Sequence, residues 1–316
     1  AVADGSTVSD YSADEIERKS SINASLLHCE YQEKRLQFID APGYADFFGE
    51  VIASIRAVDA AVLVVDAASA VEVGTERAWQ LLEEAGIPCL FFVNKLDKED
   101  TDFQKALADI QNILSKKALP IDSLDSPELI EAVAESDDKL LEKYLEGAKL
   151  SSEELKVALR QAVIRRKVFP VVSGSALMDQ GLSELLAAIL EYLPNPLERA
   201  PVKGYDPAKP ETEKEVVFKQ EAPFSAFVFK SISDPYVGQL TLLRVFSGSL
   251  AANTAFYNIS KRTKERIGAI YLLQGKEQRS IEVATCGDIV AIAKLKETVT
   301  SDSLGDEKNP VLFPPV

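Results

Sequence analysis

Three short polar motifs in this 316-residue chain each follow directly on an apolar run. They read Asp40-Ala41-Pro42-Gly43, Asn94-Lys95-Leu96-Asp97 and Ser173-Gly174-Ser175-Ala176. The runs before the second and third motifs, 90–93 and 168–172, predict strands of a parallel sheet, and ligands bind such sheets outside the carboxyl ends of the strands. The run before the first motif, 36–39, predicts together with the run 22–31 two neighbouring strands joined by a turn. The order and position of the motifs therefore predict a nucleotide site.

The first motif has the residue types that a metal–phosphate site needs. An aspartate at the end of a strand, here Asp40, can hold a magnesium ion through water. Gly43 lacks a side chain, so its backbone N–H can approach a phosphate oxygen closely.

The second and third motifs predict recognition of a guanine base. The carboxylate of Asp97 can accept two hydrogen bonds from the N1–H and the exocyclic amine of guanine, which adenine cannot supply. Asn94 can hydrogen-bond the base and brace the site, and the stem of Lys95 can cover the ring. Ser175 and Ala176 can present backbone N–H groups to the base oxygen.

The elements around these motifs alternate between strand and helix. Apolar runs at 60–65, 90–93 and 168–172 predict strands, and helical periodicity marks 72–85, 103–114 and 182–193. This alternation predicts a doubly wound α/β domain, interrupted by amphipathic helices at about 118–167. From about residue 221 the runs become short, with frequent turns, which predicts a small antiparallel barrel or sandwich.

Charge and composition exclude several classes of protein. The chain has a net charge of −15, and residues 1–200 hold 36 of its 50 acidic but only 20 of its 35 basic residues, so this part should repel a phosphate backbone. A basic cluster near the end of the chain is either an RNA contact or a solvated hairpin tip; its members are Lys261, Arg262, Lys264 and Arg266. No apolar run is long enough to cross a bilayer, and no signal-peptide pattern is present.

The motifs together resemble those of the translational GTPases, and within them elongation factor G and its relatives. The similar segments are 40–47 and 91–97 in the first domain, 140–147 with 151–155 in the helical insertion, and 228–230, 234–238, 244–248, 264–266 and 295–298 in the second domain. The resemblance implies a G domain like that of P-loop NTPases followed by a β-barrel. It further implies GTP or GDP with Mg²⁺ as ligands and the ribosome as partner. We expect a cytoplasmic monomer that binds neither membrane nor DNA.

The resemblance also assigns two residues before and after the first motif. Ser21 stands where the family has a magnesium-binding threonine and keeps the hydroxyl, although Lys19 and Ser20 replace the neighbouring residues of the family pattern. Tyr44 stands where the family has a water-positioning histidine. A phenol with a pKa near 10 cannot become a cation at neutral pH, so we expect slow or altered GTP hydrolysis.

The chain departs from the family pattern in its phosphate site. It has no Gly-rich loop ending in Gly-Lys-Ser/Thr, which the family carries upstream, so we expect a fragment that alone lacks GTPase activity. We predict an incomplete G domain over 1–200, a linker over 201–220, the barrel over 221–308 and the start of a further linker over 309–316. Only 78 residues separate Asp97 from Ser175, which suggests a reduced helical insertion or missing residues.

Two functional hypotheses follow. The first is an elongation-factor-G-like GTPase acting on the ribosome, and the second is a ribosome-associated GTP-binding module without significant hydrolysis, which Tyr44 favours. A metabolic enzyme has little support, because the single histidine, His28, lies in an apolar run and no nucleophile–base pair is visible.

Overall fold

The computed structural model describes residues 5–146, 150–234 and 238–316, which form two compact units. One unit contains Ala1–Val58 together with Pro196–Val316, and the other contains Asp59–Asn195. Gly147 and residues 235–237, which belong to segments that resemble the family, lie outside the described residues. In the described part of the chain, no helix is long and apolar enough to span a membrane.

The first unit begins with a β-hairpin between two short helices. Its elements are α1 (Ala13–Arg18), β1 (Ser25–Tyr31), β2 (Lys34–Asp40) and α2 (Phe48–Ile55). The strands pair antiparallel, and Gln32 and Glu33 turn the chain with φ values of 46° and 60°. Positive φ at both central residues gives the turn the right-handed twist that a two-residue hairpin needs. The predicted pair of neighbouring strands is confirmed.

The unit formed by residues 59–195 has the predicted alternation of strands and helices. Its elements are β3 (Ala61–Asp66), α3 (Val73–Glu84), β4 (Cys89–Asn94), α4 (Phe103–Asp109), β5 (Ala118–Pro120), α5 (Pro127–Ala134), α6 (Asp138–Leu145), α7 (Ser152–Ile164), β6 (Phe169–Ser173) and α8 (Leu182–Tyr192). The strands are parallel, in the order β3-β4-β6-β5.

The sheet of this unit is covered on both faces. Successive residues of β4 point to opposite faces, so Leu90 and Phe92 pack into a cluster with helices α5, α7 and α8. Phe91 stacks on Trp79 of α3 at 5.6 Å between ring centroids. Burial on both faces explains why β4 is apolar without alternation, and it confirms the mixed α/β fold with a parallel sheet.

The helical insertion differs in one respect from the prediction of helices alone. Its first residues, Ala118–Pro120, form the short edge strand β5 beside β6. Three residues ending in proline give no periodic signal, and proline is tolerated here because an edge strand leaves one row of N–H groups unpaired. The strand was therefore missing from the prediction.

The rest of the first unit is antiparallel. Its strands are β7 (Val202–Asp206), β8 (Lys209–Val216), β9 (Ser225–Asp234), β10 (Gly238–Ser247), β11 (Ser249–Ala251), β12 (Ala255–Asn258), β13 (Thr263–Arg266), β14 (Ile270–Gln274), β15 (Glu277–Ile281), β16 (Val283–Thr285), β17 (Ile289–Ala293) and β18 (Ser303–Gly305). The largest sheet runs β13-β12-β18-β9-β10-β17-β14-β15. This confirms the antiparallel second domain, which we call the barrel domain. The predicted linker 201–220 instead contains the hairpin β7–β8. This hairpin was not predicted because most of β8 faces solvent, so its residues are charged and show no apolar alternation.

The hairpin β1–β2 packs on the barrel domain. The backbone N–H of Gly275 donates to the carbonyl of Leu26 at 2.9 Å. The side-chain amide of Gln37 bonds both the N–H and the C=O of Ile289, each at 3.1 Å. Leu26 also belongs to an apolar cluster with Phe227 and other barrel residues. These contacts explain why residues before 59 group with the barrel domain.

A buried carboxylate organises one loop of the barrel domain. Glu265 on β13 accepts hydrogen bonds from the backbone N–H groups of Lys296, Glu297 and Thr298, at 2.7, 3.1 and 3.1 Å, and from the Thr298 hydroxyl. Burial alone would raise the pKa of Glu265, but these hydrogen bonds hold it below the ordinary value. The carboxylate therefore stays charged and fixes the loop.

We expect Glu265→Gln to lower the free energy of unfolding by about 2–4 kcal/mol, because the charge-assisted hydrogen bonds weaken in a site that excludes water. The folded-state pKa is depressed, so the carboxylate stabilises the fold above its unfolded pKa, and this stability is lost as the pH falls through the folded value. Urea titrations at pH 7 and near pH 3 should show the difference from wild type shrinking with acidity. The exposed Glu297→Gln serves as control, and equal stability of both variants at pH 7 contradicts this account.

Candidate functional site

The carboxyl ends of β4 and β6 are joined by one side-chain oxygen. Oδ1 of Asn94 accepts from the backbone N–H of Lys95 at 2.8 Å and from that of Ala176 at 2.9 Å. Leu96 N–H also donates to the carbonyl of Gly174 at 3.2 Å. The parallel register of the two strands brings the loops that follow them together, so the second and third motifs form one site.

Asp97 is positioned by the third motif. The hydroxyl of Ser175, which is completely buried, donates to Oδ1 of Asp97, and the same oxygen of Ser175 accepts from the N–H of Met178 at 3.2 Å. Asp97 itself is exposed. The site therefore presents the carboxylate of Asp97 to solvent, and the buried hydroxyl of Ser175 fixes its orientation.

The backbone N–H groups predicted to meet the base oxygen are engaged within the protein. Ser175 N–H donates to the carbonyl of Gln180 at 3.0 Å, and Ala176 N–H donates to Asn94. In this arrangement Ser175 contributes its hydroxyl rather than its N–H, a difference that depends on a turn closed by Gln180. Nothing in the motif itself indicates that turn.

A further carboxylate, which the motifs did not reveal, directs Lys95. Oδ2 of Asp66, at the end of β3, lies 2.8 Å from Nζ of Lys95 and 3.4 Å from Nζ of Lys98. Burial would raise the pKa of Asp66, but Lys95, the N–H of Ala68 and Lys98 together lower it to about 2. Its place at the carboxyl end of an apolar run was the available signal. Lys95 itself has a φ of 68°, a conformation that is uncommon for non-glycine residues and recurs at functional sites.

Leu177 and Met178 are a second feature that sequence reasoning missed. Their side chains are 80% and 57% exposed, although both are large and apolar. They follow Ala176 directly and so lie at the same edge of the sheet as Lys95. Exposed apolar side chains beside a polar site offer a surface for a flat ring.

The other predicted residues, Ser21, Asp40, Gly43 and Tyr44, belong to the other compact unit. Ser21 is half-buried and follows α1, which the sequence did not predict. Tyr44 begins a single 3-10 turn and has a side chain that is 64% exposed. A Cβ built on Gly43 meets nothing within 4 Å, so packing of the protein does not require a glycine there.

The surroundings of Asp40, at the end of β2, favour a cation. Burial raises the pKa of Asp40, and the negative charges of Asp10 and Glu15 raise it further. A hydrogen bond from Ser9 lowers the pKa but does not outweigh these effects. A positive ion would relieve this repulsion. Among the described residues, no group of three or more His, Cys, Asp or Glu could hold a metal ion alone. Magnesium suits such a place, because it keeps several waters and takes phosphate oxygens beside one or two protein ligands.

The basic cluster lies on a hairpin of the barrel domain. Lys261 and Arg262 form the exposed turn between β12 and β13, and Lys264 pairs with Glu307 at 3.2 Å. Arg266 lines a depression of about 370 Å³ together with Tyr271 and other residues that include Lys294. The structure thus confirms the hairpin tip and leaves exposed cations on one face of β13.

Comparisons with known proteins agree with the motifs of the α/β part of the chain and with those of the barrel domain. The family described as the elongation factor Tu GTP binding domain matches residues 1–195, and elongation factor G domain 2 matches residues 223–307. The chain belongs to the translational GTPases of the elongation factor G type. Its domains are those of a GTP-binding, elongation-factor-like protein.

One solved structure similar to this translational GTPase is the crystal structure of a protein from Thermus thermophilus, designated ttk003000868. The sequences are 28% identical and the TM-score is 0.84. The match covers 100% of this chain and 51% of that protein, so the chain spans about half the length of its solved relative.

Gly174 and Gly181, in the loop after β6, leave no room for a side chain, which a substitution can test. A Cβ on Gly174 would lie 2.1 Å from the carbonyl oxygen of Gln180, and Gly181 has a φ of 76°. We expect Gly174→Ala to destabilise the protein by about 1–3 kcal/mol, because a backbone oxygen cannot move aside as a rotamer can. Gly43→Ala is the matched control and should leave the melting temperature unchanged. Equal melting temperatures for wild type and Gly174→Ala contradict the prediction.

Proposed function

We propose that this chain is the nucleotide-binding and barrel part of an elongation-factor-G-like GTPase that binds GTP or GDP with Mg²⁺ and acts on the ribosome in the cytoplasm. The observation that carries this is the braced, exposed carboxylate of Asp97 beside Asn94 and Lys95. In this proposal the nucleotide domain extends to about residue 200 and the barrel over 221–308.

The base is recognised by Asp97. Its carboxylate accepts from the N1–H and the exocyclic amine of guanine, while Ser175 holds it in place. Asn94 keeps the loops of β4 and β6 together, with Ala176 as the donor on the second loop. The stem of Lys95 and the exposed Leu177 supply apolar surface to the ring.

Asp97→Asn tests this assignment by exchanging the base. An amide presents one acceptor and one donor, which suits xanthine, where a carbonyl replaces the exocyclic amine. In a protein that carries this chain behind a phosphate loop, we expect GDP affinity to fall about 10–100-fold, from loss of charge-assisted hydrogen bonds worth about 1.5–3 kcal/mol. Affinity for xanthosine diphosphate should rise.

Competition against a fluorescent GDP analogue gives both affinities. The exposed Asp100→Asn, on the turn that follows the motif, is the matched control and should change neither. If Asp97→Asn leaves the preference for GDP over xanthosine diphosphate unchanged, the base is not read by Asp97.

The phosphate side is assigned to Asp40, Gly43 and Ser21. Asp40 holds magnesium through water, Ser21 is a direct ligand through its hydroxyl, and the N–H of Gly43 binds the γ-phosphate. The bound metal would neutralise charge between the phosphates. The free space at Gly43 supports this role, since no packing contact requires a glycine there.

Tyr44 makes hydrolysis slow. Its phenol can hydrogen-bond a water but cannot take up a proton to become a cation at neutral pH. In a protein that carries this chain behind a phosphate loop, we expect Tyr44→His to raise ribosome-stimulated GTP turnover at least tenfold at pH 7, because a positioned acid–base group contributes about 10²–10⁴-fold. Phosphate release measured with ribosomes gives the rate, and Tyr44→Phe is the control that removes only the hydroxyl. No change in rate for Tyr44→His excludes this role.

The second candidate is a ribosome-associated regulatory module that binds GTP without significant hydrolysis. Tyr44 at the histidine position favours it, and the turnover measurement separates the two. In both, Lys261, Arg262, Lys264 and Arg266 contact ribosomal RNA, since exposed cations on one hairpin suit a phosphate backbone.

A further inference from the structure

The backbone directly after Ser21 is held by carboxylates from two helices. The N–H groups of Ile22 and Asn23 both donate to Oε1 of Glu15 on α1, each at 3.0 Å. The next N–H along the chain, that of Ala24, donates to Oε2 of Glu50 on α2 at 2.8 Å. Consecutive amides in a loop that all bond ionised groups are fixed far more firmly than amides that bond water.

Glu15 is buried, and both of its carboxylate oxygens accept hydrogen bonds. It is 2% exposed, and its second oxygen accepts from the N–H and the hydroxyl of Ser12 at 3.2 and 2.8 Å, which closes a capping box on α1. One carboxylate thus caps the start of the helix with one oxygen and holds Ile22 and Asn23 with the other. Burial would raise the pKa of Glu15, but these hydrogen bonds lower it below the ordinary value.

The barrel domain joins the arrangement through a buried cation. Lys230 on β9 is 7% exposed, and its Nζ donates to Oε2 of Glu50 and, at 3.4 Å, to the carbonyl of Ala24. Both polar groups of the Ala24 backbone are therefore satisfied, the N–H by Glu50 and the C=O by Lys230. A buried lysine needs such partners, because an unpaired charge in the interior is strongly unfavourable.

We propose that Glu15, Glu50 and Lys230 form a clasp that positions Ser21 and links its segment to the barrel domain. The clasp fixes the chain from Ile22 to Ala24, so the direction in which Ser21 presents its hydroxyl is set by three side chains that touch no ligand. This inference rests on the proposed function in one respect, the role of Ser21 at the metal. The clasp makes Glu15, Glu50 and Lys230 positioning residues.

Amide hydrogen exchange in the full chain tests the clasp without any nucleotide. We expect Glu15→Gln to speed exchange of the Ile22 and Asn23 amides at least tenfold and to spare Ala24. Glu50→Gln and Lys230→Met should instead speed exchange of the Ala24 amide and leave the amides of Ile22 and Asn23 unchanged. The exposed Glu17→Gln on α1 and Lys219→Met in the barrel domain are the matched controls and should leave all of these amides unchanged.

A general loss of stability is distinguished from the proposed effect within the same measurement. If exchange in β9 and β10 speeds up as much as at residues 22–24, the side chains are merely structural and the proposal is overturned. Glu15→Asp is a second variant, which keeps the charge but is one methylene too short to reach Ile22 and Asn23. The clasp requires it to behave as Glu15→Gln does, and unchanged exchange in both overturns it.

The positioning role has its own readout, the ratio of GTP to GDP affinity at saturating Mg²⁺ in a protein that carries this chain behind a phosphate loop. We expect Glu15→Gln and Glu50→Gln to lower this ratio about tenfold, because Ser21 then reaches the metal less often, while GDP binding stays as in wild type. An unchanged ratio together with faster exchange overturns the positioning role. If wild type binds no guanine nucleotide, the proposed function fails and the role of Ser21 with it, while exchange still decides whether the clasp exists.

Discussion

One hydrogen-bonded oxygen, Oδ1 of Asn94, holds the edge of the parallel sheet on which the nucleotide assignment depends. It joins the loops after β4 and β6 through the N–H groups of Lys95 and Ala176. With those loops joined, the buried hydroxyl of Ser175 can reach Asp97 and hold its carboxylate toward solvent. The packed core beneath, with Phe91 and Trp79 on one face of β4, keeps the strands from shifting. A binding site held in this way is preorganised before the ligand arrives.

In the other compact unit, charged side chains such as Glu15, Lys230 and Glu265 are buried together with their hydrogen-bond partners. Residues before 59 pack on the barrel domain through backbone pairs, such as Gly275 with Leu26, and through the ion pair of Glu50 with Lys230. The chain that carries Ser21 and Asp40 is therefore part of the barrel unit rather than a free loop. If the proposed role of Ser21 and Asp40 holds, this connection links the barrel domain directly to the segment proposed to bind the metal.

The sequence was informative wherever a pattern was local. The apolar runs predicted β3, β4 and β6, and the motifs after β4 and β6 predicted the residues of the candidate base site. Strand β5 was missed because its three residues carry no period, and the hairpin β7–β8 because its charged face lies in solvent. The engaged N–H groups of Ser175 and Ala176 were missed for another reason, since their partners depend on a turn that only the folded chain reveals. The contacts of the clasp could not have been predicted from local pattern, because Glu50 and Lys230 are 180 residues apart and such side chains are normally solvated.

The most direct test of the central claim is a competition experiment with a fluorescent GDP analogue. It would compare this chain with a version extended upstream to include a phosphate loop, and use GDP and ADP as competitors. We predict that the extended protein binds the analogue and that GDP displaces it while ADP does not. Failure of the extended protein to bind, or equal displacement by GDP and ADP, would contradict the assignment of Asn94, Lys95 and Asp97 to a guanine site.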